Sequence, residues 1–511
     1  MTNLTNLVIP LLIIAATVNV FAQKAKIYVE QVTLKTYPFS DPNPVPETGA
    51  IYPYFKFEGY TAKGADKEWK MVVLENDYIK VFIAPEVGGK VWGAIEKSTG
   101  KEFVYFNHSA KFREVAMRGA WTSGGIEFNF GKIGHAPTCS TPVDYAMRQN
   151  KDGSVSCFIG ATDLTSGTNW RVEINLPNDK AYFTTKCWWH NPSGLEQSYY
   201  HWTNGGFKAS GNLEFIFPGA YRIGHGGEVG KWPVDEHGRN LRFYENNNFG
   251  GYKSYHILGG NTGFFGGYWH DDDFGTAHWS EYDEKPGQKI WIWGLSRQGM
   301  IWEDLLTDSD GQYVELQSGR LFNQASRNSS KSPFKHRGFP PGSTDVWKEY
   351  WFPVKGTGGF NVASPYAVAN VIEQNGSLSV RLCAISPLND TMRLFQGGKE
   401  IWSENLALKP MENFERSIDT KGVAPLRLVL GDNLLEWEQG AIHKKLSRPV
   451  KSPPDFDWGS TYGLYTQGEE LVKQRLYKDA WAAIRECLKK DAYFLPAISL
   501  KAELLYRRAE Y

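Results

Sequence analysis

The sequence predicts a mainly β protein with a large antiparallel two-sheet sandwich, a small accessory β-sandwich and a helical C-terminal segment. Short apolar or alternating runs, such as residues 71–74 and 79–83, follow one another up to about Val354. Glycine-containing turns separate these runs, and no helix-period stretch of any length precedes residue 460. At 511 residues the chain is also too long for one ordinary core, so several domains are expected.

The N-terminus has the features of an export signal. Residues 1–22 carry no charged side chain and include an apolar run at 7–16. Ala22 supplies the small residue that a signal peptidase requires, and the run is too short to span a bilayer. We therefore predict a signal peptide over 1–22 and a mature protein in the periplasm or on the cell surface. No later segment has the roughly 20 apolar residues of a membrane span.

Composition narrows the classes of partner. Lys+Arg and Asp+Glu both number 56, and this zero net charge argues against nucleic acid or an anionic membrane as the partner. Aromatic residues make up 14% of the chain, which suits strand cores and, in part, packing against sugar rings. The five cysteines are widely spaced without a CxxC pair, so neither a structural zinc site nor a disulfide framework is indicated. We predict no cofactor and no metal.

One carboxylate stands out near the end of the large β region. Residues 313–317 (Tyr-Val-Glu-Leu-Gln) predict a strand that carries Glu315 among apolar neighbours, followed by a Pro-Gly turn at 340–342 and an aromatic strand at 347–352. This order resembles the end of the aldose 1-epimerase (galactose mutarotase) fold, in which a Glu on such a strand is the catalytic base. Residues 75–91 resemble the start of the same domains. The resemblance implies a mutarotase-like β-supersandwich over 28–357, with Glu315 as its first catalytic candidate.

A second candidate carboxylate lies in residues 118–131. Glu127 follows Gly124-Gly125 and sits between Ile126 and Phe128 on a predicted strand, where partial desolvation would raise its pKa towards the range of a general acid. The alternative is an ion pair with Arg118 that only holds the strand. Two carboxylates that flank a sugar C1 are the equipment of glycoside hydrolysis. We therefore predict Glu127 and Glu315 as a catalytic pair.

Six further residues are predicted to bind the sugar. Residues 198–206 resemble the mutarotase strand that carries a catalytic His, which makes His201 a candidate acid. The usual His-x-Tyr-Phe-Asn order is absent, however, and counting back from Asn204 reaches Tyr200 instead. A structural His within the sheet is the alternative. Glu349 shares a strand face with Trp347 and Trp351 and is expected in aromatic core. The predicted binding set is Arg118, Trp121, His135, His201, Asn204 and Trp279.

The last third of the chain changes character. Strand and turn patterns predict the accessory β-sandwich over 358–447, followed by a proline-containing linker over 448–460. Gly468, Tyr477 and Ala480 have the spacing of a tetratricopeptide repeat, with helices expected around 467–475 and 478–490. Tyr511 follows Tyr477 by one 34-residue period. Because about three repeats are needed for stability, 461–511 is expected to be part of a truncated array. A helical hairpin that caps the protein is the alternative.

The combination of these three parts resembles the bacterial family catalogued as domain of unknown function 5107. The leading functional hypothesis is an exported glycoside hydrolase that uses Glu127 and Glu315 on a carbohydrate substrate. The first alternative is an aldose 1-epimerase with Glu315 as base and His201 as acid. The second is a non-catalytic glycan-binding protein whose repeats bind a protein partner. Because one fold hosts several activities, the resemblance leaves all three open.

Overall fold

A computed structural model describes residues 24–39, 60–114, 120–131, 135–163, 166–295, 297–321, 324, 338–420, 422–441, 455–473 and 475–511. The predicted signal peptide, Arg118 and the linker residues 448–454 lie outside the described residues. The chain divides into two compact units, Met1–Lys444 and Lys445–Tyr511. The boundary predicted between 357 and 358 falls inside the first unit and stays a prediction.

Strands form most of the first unit. In chain order they begin with β1 Lys26–Tyr37, β2 Ala65–Glu75, β3 Ile79–Ala84, β4 Lys90–Glu96, β5 Glu102–Val104, β6 Ser109–Lys111, β7 Arg113–Glu114, β8 Ala120–Trp121, β9 Ile126–Gly131, β10 Asp144–Gln149, β11 Val155–Thr162, β12 Asn169–Leu176, β13 Phe183–His190, β14 Gln197–Ser198, β15 Tyr200–Lys208 and β16 Leu213–Ile216. They continue with β17 Gly219–Ile223, β18 Val229–Lys231, β19 Lys253–Gly259, β20 Phe264–Trp269, β21 Phe274–Trp279, β22 Gly287–Ile292, β23 Tyr313–Gly319, β24 Gly338–Phe339, β25 Thr344–Lys355, β26 Val362–Ala363, β27 Ala367–Gln374, β28 Ser377–Ala384, β29 Leu388–Gln396, β30 Lys399–Leu408, β31 Asn413–Asp419, β32 Leu426–Leu430 and β33 Leu435–Glu438.

Two large sheets form the predicted sandwich. The first has 13 strands in the order β18-β17-β19-β22-β23-β15-β9-β4-β3-β2-β1-β6, with β5 beside β4. The second has eight strands in the order β10-β11-β12-β13-β25-β21-β20-β16. Neighbouring strands are antiparallel apart from the pair β1 and β6. The prediction of a mainly antiparallel β-supersandwich is therefore confirmed.

Alternation of side chains explains how the two sheets meet. In β12, Trp170, Val172, Ile174 and Leu176 are buried, while the residues between them are more exposed. Such period-two burial places one strand face against the facing sheet. Each large apolar side chain that is fully buried in this way stabilises the fold by roughly 1.5–3 kcal/mol. Strands β9 and β23 differ, because every residue in them is buried. Both faces of these central strands are therefore covered.

A smaller pair of sheets follows in the same unit. Their orders are β26-β27-β28-β31 and β30-β29-β32-β33, and an apolar cluster that includes Val380, Leu394 and Leu428 fills the space between them. A separate cluster joins this part to the eight-stranded sheet, with Phe352 and Val354 of β25 packed together with Val368 and Cys383. The predicted accessory β-sandwich is confirmed.

One helix contradicts the sequence prediction. Helix α1, Arg297–Leu306, lies before residue 460, where no helix was expected. It is short, and its apolar residues pack into a local cluster with Trp293 and Tyr313, so tertiary contacts rather than a sustained periodic pattern stabilise it. Short 3-10 turns occur at Pro137–Ser140, Tyr244–Asn247, His270–Asp272 and Asp308–Asp310.

The second unit contains the expected helices, α2 Thr461–Lys473, α3 Tyr477–Lys490 and α4 Leu495–Arg507. Gly468 allows α2 and α3 to approach closely, because a Cβ there would lie 2.7 Å from Cδ1 of Ile484. Ala480 is small and fully buried at the same contact. These are the positions that the repeat spacing identified. The prediction of a helical C-terminal segment is confirmed.

The five cysteines, Cys139, Cys157, Cys187, Cys383 and Cys487, are all buried and form no disulfide. Among the described residues, no helix is both long enough and apolar enough to cross a membrane.

Candidate active site

Five polar side chains form a row across the large sheet. The row crosses five neighbouring strands, and each residue stands directly opposite the next. Its members are His256 on β19, Lys289 on β22, Gln317 on β23, Asn204 on β15 and Glu127 on β9. Directly opposed residues in antiparallel strands project from the same face. All five are buried. Because apolar residues alternate with them and face the second sheet, the row lies on the face of the large sheet that points away from the sandwich interior.

Glu315 lies in the next row on the same face. It stands two residues from Gln317, opposite Trp291 of β22 and Gly206 of β15. A side chain at Gly206 would crowd the neighbouring turn, because its Cβ would lie 3.0 Å from Cα of Gly124. The glycine-rich turn before β9 can therefore cover this part of the face.

Glu127 is held by two donors from the loops around β9. The indole Nε1 of Trp121 donates to Oε2 of Glu127 at 2.7 Å, and Nδ1 of His135 lies 3.0 Å from Oε1. An ionised carboxylate only accepts hydrogen bonds, so Nδ1 of His135 is the donor. His135 has a left-handed backbone (φ 56°), and the next N–H, of Ala136, donates to Oδ1 of Asn129 on β9 at 2.9 Å. The strand thus fixes the strained residue that carries the imidazole.

The pKa of Glu127 lies below its usual value, so the expectation that desolvation raises it towards the range of a general acid is wrong. Burial alone would raise this pKa, but the charge and hydrogen bond of His135, the charge of Lys90 and the Trp121 hydrogen bond outweigh burial. Lys90 is itself buried and donates to the carbonyl oxygens of Thr122 at 3.0 Å and Ser123 at 3.3 Å. Glu127 is therefore an ionised carboxylate at neutral pH.

The pKa of Glu315 is shifted in the opposite direction. Burial raises the pKa of Glu315, and the negative charge of Glu127 raises it further. The charges of His135 and Lys289 and a hydrogen bond from Gln317 lower this pKa, but by less than the two raising effects. Nε2 of Gln317 donates to Oε2 of Glu315 at 2.5 Å, and the Tyr313 hydroxyl lies 3.4 Å from Oε1. Glu315 therefore favours the protonated form more than an ordinary Glu.

The two carboxyl groups come from strands that are two apart. Strand β15 separates β9 from β23, so the strands that carry Glu127 and Glu315 lie roughly 10 Å apart at about 4.8 Å per strand spacing. Both side chains leave the same face, and the charge of His135 acts on both. This arrangement supplies an ionised carboxylate and a carboxyl with a raised pKa on one surface.

Several buried polar atoms on this face have no hydrogen-bond partner among the described residues. Two of them are Oδ1 of Asn204, between the two carboxylate strands, and the indole Nε1 of Trp291, beside Glu315. The ring of Tyr252 stacks on Trp291 with centroids 4.7 Å apart and is 63% exposed. An acceptor, a donor and an exposed ring next to the carboxylates are the groups that a sugar hydroxyl and a sugar face would use.

The structure does not bring His201 to this site. Alternation along β15 places it on the opposite face from Asn204, inside the sandwich, where it is fully buried against the rings of Phe130 and Trp347 at 4.5 and 4.4 Å. Burial lowers the pKa of His201 well below its usual value. The expectation that His201 contacts sugar and acts as the acid partner of Glu315 is corrected, because the imidazole that neighbours the carboxylates is that of His135.

Trp279 also lies elsewhere. It belongs to β21 in the eight-stranded sheet, opposite Tyr350 of β25, and not to the sheet of the carboxylates. Of the predicted site residues, the structure brings together Glu127, Glu315, Trp121, His135 and Asn204. Arg118 lies outside the described residues, so its predicted ion pair with Glu127 stays a prediction.

Sequence reasoning missed several residues of this face. Lys90, Lys289, Trp291, Tyr313 and Gln317 all contact or neighbour the carboxylates. The alternation of side chains along a strand could have identified four of them. Tyr313 and Gln317 lie two residues from Glu315 and therefore share its face. Lys289 and Trp291 alternate with isoleucines and therefore share one face of their own strand. Within the described part of the chain, no group of three or more His, Cys, Asp or Glu side chains is placed to hold a metal ion.

Comparison with known proteins identifies the family. The model of the family named domain of unknown function (DUF5107) matches residues 46–354, more than half of the chain, so the chain belongs to that family. A solved TPR-domain containing protein from Parabacteroides distasonis has the same fold, with 19% identity, a TM-score of 0.58 and coverage of 96% of this chain and 78% of that one. The predicted family is thus confirmed.

Two mutarotase-related structures show a weaker similarity. A galactose mutarotase-like protein from Lactobacillus casei has 11% identity, a TM-score of 0.40 and coverage of 55% of this chain and 99% of that one. A putative aldose 1-epimerase from Klebsiella pneumoniae has 10% identity, a TM-score of 0.38 and coverage of 65% and 92%.

Proposed function

We propose that this member of the family is a carbohydrate-active enzyme that hydrolyses glycosidic bonds, with Glu315 as proton donor and Glu127 as the ionised carboxylate. The observation that carries the proposal is the opposite shift of two buried carboxyl pKa values on one sheet face, with Glu127 lowered and Glu315 raised. Two titratable groups whose surroundings separate their pKa values are suited to divide acid and base roles.

In the proposed reaction, protonated Glu315 gives its proton to the glycosidic oxygen as the bond from that oxygen to C1 breaks. Glu127 either attacks C1, to form a glycosyl ester that water then hydrolyses, or takes a proton from the water that attacks C1 directly. Either way water is consumed, with its hydroxyl on C1 and a proton on the leaving group. A carboxyl gap of about 5 Å suits the first route, and about 6.5–9.5 Å suits the second.

The surrounding residues position the two carboxyl groups and offer a hydrogen-bond acceptor to the substrate. Trp121 and His135 keep Glu127 oriented and ionised, while Gln317 and Tyr313 hold Glu315. Oδ1 of Asn204 is available to accept from a sugar hydroxyl, because it has no partner among the described residues. Groups fixed before substrate binds lose little free energy to reorganisation during the reaction.

Aldose 1-epimerisation is the second candidate, because His135 supplies an imidazole beside the carboxylates. In that reaction, Glu315 would act as the base that takes the proton of the anomeric hydroxyl, and His135 would protonate the ring oxygen as the bond from C1 to that oxygen breaks. The surroundings of Glu315 raise its pKa while those of Glu127 lower its pKa, and this division suits the two carboxyl groups of a hydrolase, so hydrolysis is the better match.

The deciding experiment is an NMR time course of the purified protein with a panel of glycosides and free aldoses. Wild type is compared with Glu315→Gln, Glu127→Gln and the control Glu68→Gln, which changes an exposed carboxylate on β2 of the same sheet. New reducing sugar in wild type and the control, reduced about 10²–10⁴-fold in Glu315→Gln, is expected. The first anomer formed reports retention or inversion.

Other results would reject hydrolysis. Faster exchange of anomers without cleavage would establish an epimerase. Binding of sugars without any reaction would establish a non-catalytic glycan-binding protein.

We also propose that the protein is exported and that its helical segment binds a protein partner. The uncharged apolar residues 1–22 support export, and the repeat spacing around Gly468 and Ala480 supports partner binding. Cell fractionation with and without residues 1–22 tests the first point. Retention of the protein in the cytoplasm with the segment intact would reject it.

A further inference from the structure

We propose that a groove on the outer face of the eight-stranded sheet is a second, non-catalytic binding site for an oligosaccharide chain. The groove runs between that sheet and the accessory β-sandwich. It consists of two cavities of about 810 and 650 Å³ that share Thr262, Phe264, Val362 and Glu436. The two cavities adjoin at these residues. Each has the volume of an ordinary ligand site.

An aromatic row forms the floor at one end. Phe264, Trp279 and Tyr350 stand directly opposite one another on β20, β21 and β25. Their neighbours in sequence, among them Trp351, are buried in the sandwich interior, so the row faces outwards. The rings of Trp279 and Tyr350 meet edge to face, with centroids 5.4 Å apart at 74°. Trp279 and Tyr350 both remain partly exposed, so part of each ring is accessible to a ligand.

Further rings extend the aromatic lining. Tyr182 packs edge to face on Tyr350 at 5.2 Å, and Tyr366, which is 43% exposed, lines the cavity from the accessory side. The lining of the adjoining cavity includes Phe360 and Trp437. Aromatic side chains therefore occur along the groove rather than at one point, as a ligand with repeated ring units requires.

The polar side chains of the groove indicate an uncharged ligand rich in hydroxyl groups. At the Trp279 end, Lys180 and Lys348 are mixed with the carboxylates of Glu281 and Glu284 and the hydroxyl of Ser386. Nucleic acid would require an excess of cations, which this lining lacks. A purely apolar segment would leave these charged groups without water or partners. A neutral glycan offers both hydroxyl groups for the polar side chains and C–H faces for the rings.

This site is separate from the candidate active site. Trp279 and Tyr350 lie on the eight-stranded sheet and face outwards, whereas Glu127 and Glu315 lie on the 13-stranded sheet. A polymer held in the groove would remain attached to the protein while another part of it is cleaved. The choice of a glycan as ligand rests on the proposed function, but binding in the groove does not require the carboxylates to act.

Calorimetric titration of the full-length Glu315→Gln protein with neutral oligosaccharides of two to six units tests the proposal, with β-glucan, xylan, mannan and galactan series as probes. We expect binding that strengthens with chain length. Trp279→Ala and Tyr366→Ala should each weaken it at least about tenfold, the effect of losing a central aromatic contact. Tyr145→Ala is the matched control, because Tyr145 is 40% exposed on β10 and lines neither cavity.

Thermal unfolding establishes that each variant is folded, and Tyr366→Ala removes an exposed ring in case Trp279→Ala is unstable. Unchanged affinity in both variants, or no binding across the four series, would overturn the groove site. In the Glu315-intact protein, Trp279→Ala should leave cleavage of a short glycoside unchanged. Cleavage without groove binding would support the proposed hydrolysis and reject the groove site. Groove binding without cleavage would support the groove site and reject hydrolysis.

Discussion

Two clusters of buried ionisable groups lie on opposite faces of the same strands. On β15, Asn204 belongs to the polar row of the candidate active site, while its neighbour Thr203 points into the sandwich and donates to Glu349 at 2.9 Å. On β23, Gln317 and Ser318 are divided in the same way, because Ser318 also donates to Glu349. One-residue steps along two strands thus separate two buried carboxylate environments.

The carboxylate of the interior cluster is held by four side chains of the fold. Glu349 lies 3.2 Å from Nζ of Lys285 and 2.9 Å from Nε2 of His278, and it accepts from Thr203 and Ser318. Burial would raise the pKa of Glu349, but Lys285, His278 and Ser318 hold it well below its usual range. A buried charge that has its partners within the fold contributes to structure and has no capacity left for a ligand.

The outer face differs from the interior in the pKa of one of its carboxyl groups. Oδ1 of Asn204 and Nε1 of Trp291 have no partner in the described part of the chain, and Glu315 has a raised pKa. The comparison teaches that burial alone does not distinguish a catalytic carboxylate from a structural one. The raised pKa separates Glu315 from Glu349, whereas Glu127 resembles Glu349, since its pKa is lowered and its carboxylate is held by hydrogen bonds.

The largest effect is expected from Glu349→Gln. This change removes the carboxylate charge but leaves Lys285 buried, which should lower the free energy of unfolding by about 3–5 kcal/mol. Urea unfolding at neutral pH measures the loss. Glu415→Gln, which changes an exposed carboxylate of the accessory sheets, is the control. A loss below about 1 kcal/mol would mean that the interior pair is not structural.

The same group should make stability depend on acidity. The pKa of Glu349 in the folded protein is below its unfolded value of about 4.3, so its contribution is present above that value and is lost as pH falls through the folded pKa. Its loss should cost up to about 1.4 kcal/mol per pH unit. Urea unfolding between pH 6 and pH 3 should show a flatter curve for Glu349→Gln. Parallel curves would contradict this assignment.

Glu315→Gln should behave in the opposite way. The folded protein favours protonated Glu315, so its contribution to stability is present below the unfolded pKa and is lost as pH rises through the raised folded pKa. A neutral amide avoids that loss, and unfolding free energy at neutral pH should stay within about 1 kcal/mol of wild type or rise. Urea unfolding checks this. A fall of several kcal/mol would place Glu315 with the structural carboxylates.

The smallest expected effect concerns Lys289. Its charge lowers the pKa of Glu315, so Lys289→Met should raise that pKa and keep Glu315 protonated to higher pH. The alkaline limb of the kcat/KM profile for glycoside cleavage should therefore move upwards, by less than about one pH unit. Lys348→Met, on the other sheet, is the control and should leave the limb in place. A downward shift would show that Lys289 acts otherwise.

Much of the fold could be predicted because its signals are local. Runs of alternating residues gave the strands, and the spacing of Gly468, Tyr477 and Ala480 gave the helical segment. Helix α1 was missed, since ten residues offer little periodicity and Trp302 and Leu306 are stabilised by packing. Glu127 and Glu315 could be chosen because a carboxylate on an apolar strand is conspicuous.

The sequence by itself determined the strands, the repeat-like helices and, through two-residue alternation, that Glu315 and Gln317 share a face. Only the tertiary structure decided which face is the candidate site. His201 and Asn204 are three residues apart and therefore lie on opposite faces of β15, but only the order β23-β15-β9 shows that Asn204 shares its face with the two carboxylates. Strand order depends on pairing between segments distant in sequence, so residues such as Lys289 and Glu127 reach one row only when the whole sheet has formed.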